Sequence, residues 1–209
     1  MSYANYLYIA IRAAVDAGKS IMDIYNDPES DFGIERKADN SPLTKADKAA
    51  HRLITNALSV TAVEGQEEFN AAVQAINNQS FVLEANNIQP MNGQVFYVNS
   101  NTNFVSLNDG QAMVQIASNS PYPGPNGLGG ITVQGSASNI QTKQDDKGNV
   151  YLNMNVQGVF ISATVSLMLT NGTNNATVTV DPNFSGRNLR MTGTLLPYSQ
   201  SNIFQGTTY

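Results

Sequence analysis

The chain has 209 residues, room for one sizeable domain with an appendage, and carries 11 Lys and Arg against 16 Asp and Glu, a net charge of −5. With no block of basic side chains to neutralise phosphates, nucleic acid is excluded as a partner. Cysteine is absent and the only histidine is His51, which removes disulfides, thiolate chemistry and multi-histidine metal sites and argues against a histidine-based triad.

Leu7, Ile11, Ala14, Gly18, Ile21, Met22 and Tyr25 recur at three- and four-residue steps, predicting one helix over residues 4–26 that Asn26, Asp27 and Pro28 end. Arg12 and Asp16 interrupt its apolar run and no basic leader precedes it, so it reads as an amphipathic helix and not a signal peptide. No stretch approaches the roughly 20 apolar residues that span a bilayer. Phe32, Ile34 and Glu35 suggest a short strand. Thr44 and Asp47 have capping-box spacing and open a second helix, with Ala50, Leu53, Ile54, Ala57 and Leu58 on its buried face. A third helical stretch, Glu64 to Asn77, presents Phe69, Val73 and Ile76.

Composition changes near residue 60, from Ala-, Asp- and Lys-rich to Asn-, Gly-, Ser-, Thr- and Val-rich, and the period becomes two beyond Gln79. Strands are predicted at residues 81–85, 94–98, 103–107, 112–116, 131–134, 151–156, within 159–170, at 176–180 and 189–195, with a last short one near Ile203 and Phe204. Asn108-Asp109-Gly110 is a tight-turn signal, and residues 145–149 form a hairpin loop. The proline- and glycine-rich turn that begins at Pro121 feeds the strand from Ile131. Short strands at hairpin spacing without intervening helices mean an antiparallel sheet, and the need to cover its edges favours closure. The expected fold is therefore α+β: a helical segment over residues 1–60 and a larger antiparallel β-sandwich or partly closed β-barrel over residues 61–209.

Two resemblances attach to these segments. Lys37, Asp39, Ser41-Pro42-Leu43-Thr44 and Ala46-Asp47 follow the first helix in an order that resembles the N-terminus of bisphosphate nucleotidases of the inositol monophosphatase superfamily. That resemblance implies Mg²⁺, with Asp47 helping to position a water nucleophile, Thr44 beside it, and Glu67 and Glu68 near the spacing of the family's paired metal ligands. The Asp-Pro-x-Asp-Gly-Thr motif and the late Trp-Asp motif are missing, and a lone Asp cannot assemble a two-metal site. Over residues 62–206, the segments 80–86, 98–107, 122–133, 154–158, 161–165 and 181–186 resemble DUF4251, a family of secreted or lipid-anchored β-rich proteins of gut-type Bacteroidetes catalogued as a domain of unknown function. That likeness implies an extracytoplasmic β domain without known catalytic residues. A chain starting at Met1 without a signal is expected in the cytoplasm, so the two likenesses imply opposite compartments, and a fusion near residues 58–62 reconciles them.

Other candidate sites have structural explanations. The Gly124–Gly130 stretch lacks the Gly-Lys-Ser/Thr ending of a phosphate cradle and reads as a turn. Tyr97, Phe104, Tyr122, Tyr151, Phe160 and Tyr198 either line a pocket for an apolar or carbohydrate ligand or, as the preferred reading, fill the core. Asp145 and Asp146 near Asn149 lack calcium-loop spacing. His51 is a helix residue without a nucleophile, and Asn171 and Asn175 are formal glycosylation acceptors in turn-rich sequence. The expected function is a non-enzymatic binding or envelope-associated protein of unknown ligand, without cofactor. The alternatives are a truncated Mg²⁺-dependent phosphatase and an assembly module that forms homo-oligomers through an exposed edge.

Overall fold

In the computed structural model the described residues are 3–29, 32–38, 42–90, 92–117, 122, 124–183 and 188–208. They divide into two compact units, Met1–Gly65 and Gln66–Tyr209. Asp39 and Ser41 of the phosphatase-like stretch, Pro121 and Pro123 of the turn, and 184–186 lie outside the described residues.

The first unit holds helix α1 (Tyr3–Asn26), the strand pair β1 (Glu35–Arg36) and β2 (Pro42–Leu43), and the start of helix α2 (Lys45–Asn77). Its buried stripe runs through Ala13 and Ala17, not through Leu7, Ile11, Met22 and Tyr25, which are exposed. The predicted face is therefore turned: small alanines, which permit close helix approach, occupy the covered side. Residues 45–77 form one helix where two were expected. The β-branched run after Ser59 lowers helix propensity without ending the helix, and the Ser59 hydroxyl bonds back to the Thr55 carbonyl (2.8 Å). Leu53, Ile54 and Leu58, expected buried, are exposed.

The second unit is an antiparallel barrel. Strands β3 (Phe81–Pro90), β5 (Phe104–Asn108), β6 (Gln111–Ile116), β7 (Ile131–Gln144), β8 (Val150–Gln157), β9 (Ser162–Leu169), β10 (Asn175–Pro182) and β11 (Leu189–Pro197) follow one another as neighbours, and β11 returns to pair with β3. The meander closes, which resolves the sandwich-or-barrel alternative in favour of the barrel and leaves no edge along it. The short β4 (Phe96–Tyr97) adds to the far end of β3. Ile203 and Phe204 are not a strand, although the Phe204 N–H bonds the Asn101 carbonyl (2.8 Å).

Alternation places the core. Val150, Leu152, Met154 and Val156 of β8 point inward, as do Ala163, Val165, Leu167 and Leu169 of β9, with the polar residues between them outside. Two bulges interrupt this rule. Opposite Thr192 and Gly193 the register skips Asn86, and in β7 it shifts between Ser138 and Gln141, where Asn139 has φ +50°. Each extra residue flips the inward parity, from Ala85 to Ile88 and from Ala137 to Ile140. At the first bulge the strands approach so closely that a Cβ on Gly193 would lie 1.9 Å from the Glu84 carbonyl oxygen.

The two ends of the barrel differ. Where β3 begins, Phe81, Leu107, Val150, Leu169 and Leu195 are buried and share one cluster with Phe69, Ala72, Ala75 and Ile76 from the last turns of α2. At the opposite end Ile88, Ile116, Ile161 and Leu189 form the last inward layer, and the apolar residues beyond them are exposed.

Candidate functional site: the open end of the barrel

At this second end two apolar cavities meet. One, of about 440 Å³, lies among Ile88, Pro90, Phe96, Tyr97, Ala117 and Leu189. The other, of about 430 Å³, lies among Val133, Phe160, Ile161, Ala163, Val180 and Leu189. Ile116 and Leu189 border both. An eight-stranded barrel is just wide enough for side chains to fill it or for one small ligand, and cavities of about 300–1,000 Å³ are the size of small-molecule sites. The described lining holds no Asp, Glu, His, Lys, Arg or Cys side chain, so it offers no acid–base pair.

The aromatic residues separate accordingly. Phe104 alone is fully buried, as the core reading expects. Tyr97 (85% exposed), at the end of β4, and Phe160 (63%), in the turn between β8 and β9, stand on the rim of the cavities, while Tyr122 and Tyr198 are exposed. Period-two reasoning assigns a residue to a face of the sheet but cannot tell that a strand end lies beyond the last packed layer.

A polar seal supports this end from outside. Gln115 and Thr132 face each other across β6 and β7 and are fully buried. Gln115 Nε2 donates to the carbonyls of Thr102 (2.9 Å) and Phe204 (2.7 Å), and its Oε1 accepts from the Thr132 hydroxyl (2.7 Å) and the Gly206 N–H (2.8 Å). Buried Asn126 donates to the Ile116 carbonyl (3.0 Å), and its Oδ1 accepts from the N–H groups of Leu128 and Gly130 (both 3.0 Å). Backbone donors that a phosphate cradle would aim at an anion are thus spent on Asn126. Asn103 completes the seal by accepting from the Ala117 N–H (2.8 Å). The segment after Ser201 covers these groups, and Glu84 holds its start through the Ser201 hydroxyl (2.7 Å). Nothing in the sequence signals Gln115, because its partner Phe204 lies 89 positions away.

The phosphatase-like residues do structural work. The Asp47 N–H donates to Thr44 Oγ1 (3.2 Å), while Asp47 Oδ2 accepts from the Thr44 N–H (2.8 Å) and hydroxyl (2.7 Å). This is the capping box, and the Thr44 backbone donor is the main cause holding the Asp47 carboxyl below its ordinary pKa. Glu67 is exposed and Glu68 half-buried in the later part of α2. Among the described residues no group of three His, Cys, Asp or Glu is placed to hold a metal. His51 is exposed on α2.

In the hairpin loop, Asp145 accepts from the Lys147 and Asn149 N–H groups (both 2.9 Å), from Asn149 Nδ2 (3.0 Å) and from the Tyr151 hydroxyl (3.1 Å). Hydrogen bonds led by the Asn149 side chain lower the Asp145 pKa, and the bond to Asp145 raises that of Tyr151. The carboxylate is a loop organiser. Asn171 binds the same loop, donating through Nδ2 to the Lys147 carbonyl (3.0 Å).

Comparison with known proteins bears on the barrel. A family described as "Domain of unknown function (DUF4251)" matches residues 63–195. The crystal structure of a DUF4251 family protein from Bacteroides eggerthii DSM 20697, at 1.95 Å resolution, is similar at 50% identity and a TM-score of 0.59, over 68% of this chain and 96% of that one. No curated protein matches, so the phosphatase likeness of the first unit rests on the residues quoted from the sequence. A family match over more than half of the chain, with a half-identical solved relative, makes this protein a member of the DUF4251 family.

Proposed function

We propose that the barrel is a non-catalytic binding module that takes an apolar small molecule into its open end. The observation that carries this reading is the pair of apolar cavities meeting at Ile116 and Leu189, at the one end of the barrel that the core leaves unfilled. Apolar surface left open to water is costly unless something covers it, and a ligand that fills such a cavity is held mainly by the area it buries. The lining favours a hydrocarbon or ring system over a charged molecule, since among the described residues no carboxylate, ammonium or guanidinium borders either cavity.

The test is fluorescence titration of the full chain with cis-parinaric acid, a fluorescent acyl probe. Saturable one-to-one enhancement is expected, reduced at least about tenfold in affinity by Leu189→Arg, which places a charge where the cavities meet. Circular dichroism checks that the variant keeps its sheet. Non-saturable enhancement, or equal affinity in the folded variant, would overturn the proposal.

A further inference from the structure

The rim of the open end is apolar on several sides. Val95 (47% exposed), Phe96 and Tyr97 come from the segment at the end of β3; Ile131 begins β7; Val159 (90% exposed) and Phe160 form the turn between β8 and β9. Strand order brings these chain-distant pieces to the same end of one barrel, around the same cavities. Scattered exposed apolar residues are ordinary on a surface, but a set concentrated on one rim marks a surface built to meet something apolar.

We propose that this rim seats the open end of the barrel on the surface of a lipid bilayer, from which the ligand enters. The inference rests on the binding function proposed above. Three features select a bilayer. Valine and phenylalanine at the tip of a turn reach the hydrocarbon boundary, and tyrosine at the rim suits the headgroup level. Among the described residues the charges nearest this end, Asp181 and Arg190, are of opposite sign and form no basic cluster that would select anionic headgroups, which fits a neutral zwitterionic surface. A second copy seated mouth to mouth would bury the same residues but would seal both cavities, whereas a bilayer supplies apolar molecules to them.

Sedimentation with phosphatidylcholine vesicles, with and without phosphatidylserine, tests the proposal. The full chain is expected to pellet with both to a similar extent and to resist added salt, because the attraction is not electrostatic. The double variant Val95→Asp, Val159→Asp changes two exposed positions that line neither cavity. It should lose vesicle partitioning about tenfold or more while still binding cis-parinaric acid. Leu189→Arg should do the reverse, losing the probe and keeping the vesicles. A chain that stays in the supernatant, pellets only with phosphatidylserine, or pellets equally as the double variant overturns the docking. So does a concentration-dependent doubling of mass that the double variant abolishes, which would assign the rim to a second copy. Vesicle binding without probe binding would leave the docking standing and defeat the ligand reading alone.

Discussion

Gln115→Ala removes the centre of the polar seal, and its effect can be worked from the structure. The wild-type side chain satisfies two carbonyls, one hydroxyl and one backbone N–H at once, in a site with no solvent exposure. A hydrogen bond contributes about 1 kcal/mol net, and a buried partner left without one costs about 1–3 kcal/mol. Water entering the space vacated by the side chain recovers part of this, so a loss of about 3 kcal/mol is expected. For a unit of this size each kcal/mol moves the melting temperature by about 4 °C, giving a fall of roughly 12 °C. Urea unfolding followed by circular dichroism measures the loss. Amide exchange locates it: Gly206 N–H should exchange far faster than in the parent, and Leu167 N–H, deep in β9, should track only global stability. Gln115→Glu, which sets a second acceptor oxygen against the Thr102 and Phe204 carbonyls in a buried site, should cost more than Gln115→Ala. A Gln115→Ala protein that melts within about 2 °C of the parent, with Gly206 equally protected, would refute the idea that this residue anchors the terminal segment.

Gly193→Ala should cost about 3 kcal/mol, at the upper end of overpacking, because the added carbon meets the Glu84 carbonyl and Ala85 Cα, neither of which can rotate away; denaturant titration checks it. Thr44→Ala should raise amide exchange in the first turn of α2 about fivefold, the effect of a lost N-cap. The Asp47 carboxyl is lowered in the folded chain, so the cap's contribution is complete above the ordinary value of 3.8 and is lost as pH falls through the lowered one; Asp47→Asn, which removes the titrating group, should flatten that acid dependence of helicity, while Thr44→Ala, which keeps the backbone donor, should only lessen it. Asp145→Asn should bring the Tyr151 titration down towards its ordinary value of 10.0, read by tyrosinate absorbance, because the carboxylate that raises it is neutralised. An unchanged tyrosine titration would mean that the hydrogen bond between them is not formed in solution.

Much of this fold is legible in the residues. Asn108-Asp109-Gly110 announces a hairpin, and Asp109 and Gly110 both adopt the positive φ that such a turn requires (49° and 72°). The alternation of Val150 to Val156 and the Thr44–Asp47 box are equally local, and the structure realises each as expected. What could not be read depends on distant parts of the chain. The strand from Ile131 runs on to Gln144, but Gly135 and the bulge at Asn139 break its period after four residues. Ring closure is invisible to periodicity, since the pattern of β11 does not name β3 as its partner. The site escapes for a related reason: Tyr97 and Phe160 have the composition of core residues, and only the position of the last inward layer puts them outside it. The identity of Gln115 suggests an outward, wetted side chain; the residues that dry it come at the end of the chain.

The pairing that closes the ring has a consequence during synthesis. It joins Phe81 to Pro197, so roughly a hundred residues must leave the ribosome after β3 before its final neighbour exists. At about 5–20 residues per second that is on the order of ten seconds, during which one side of β3, with its unpaired amides and carbonyls, is open to other chains. Because the first and last strands must meet, no smaller subset of the meander can shut, and the barrel forms as one slow, long-range event. A nascent-chain partner that shields β3 until β11 arrives would therefore raise the yield of folded protein more than any strengthening of the individual hairpins.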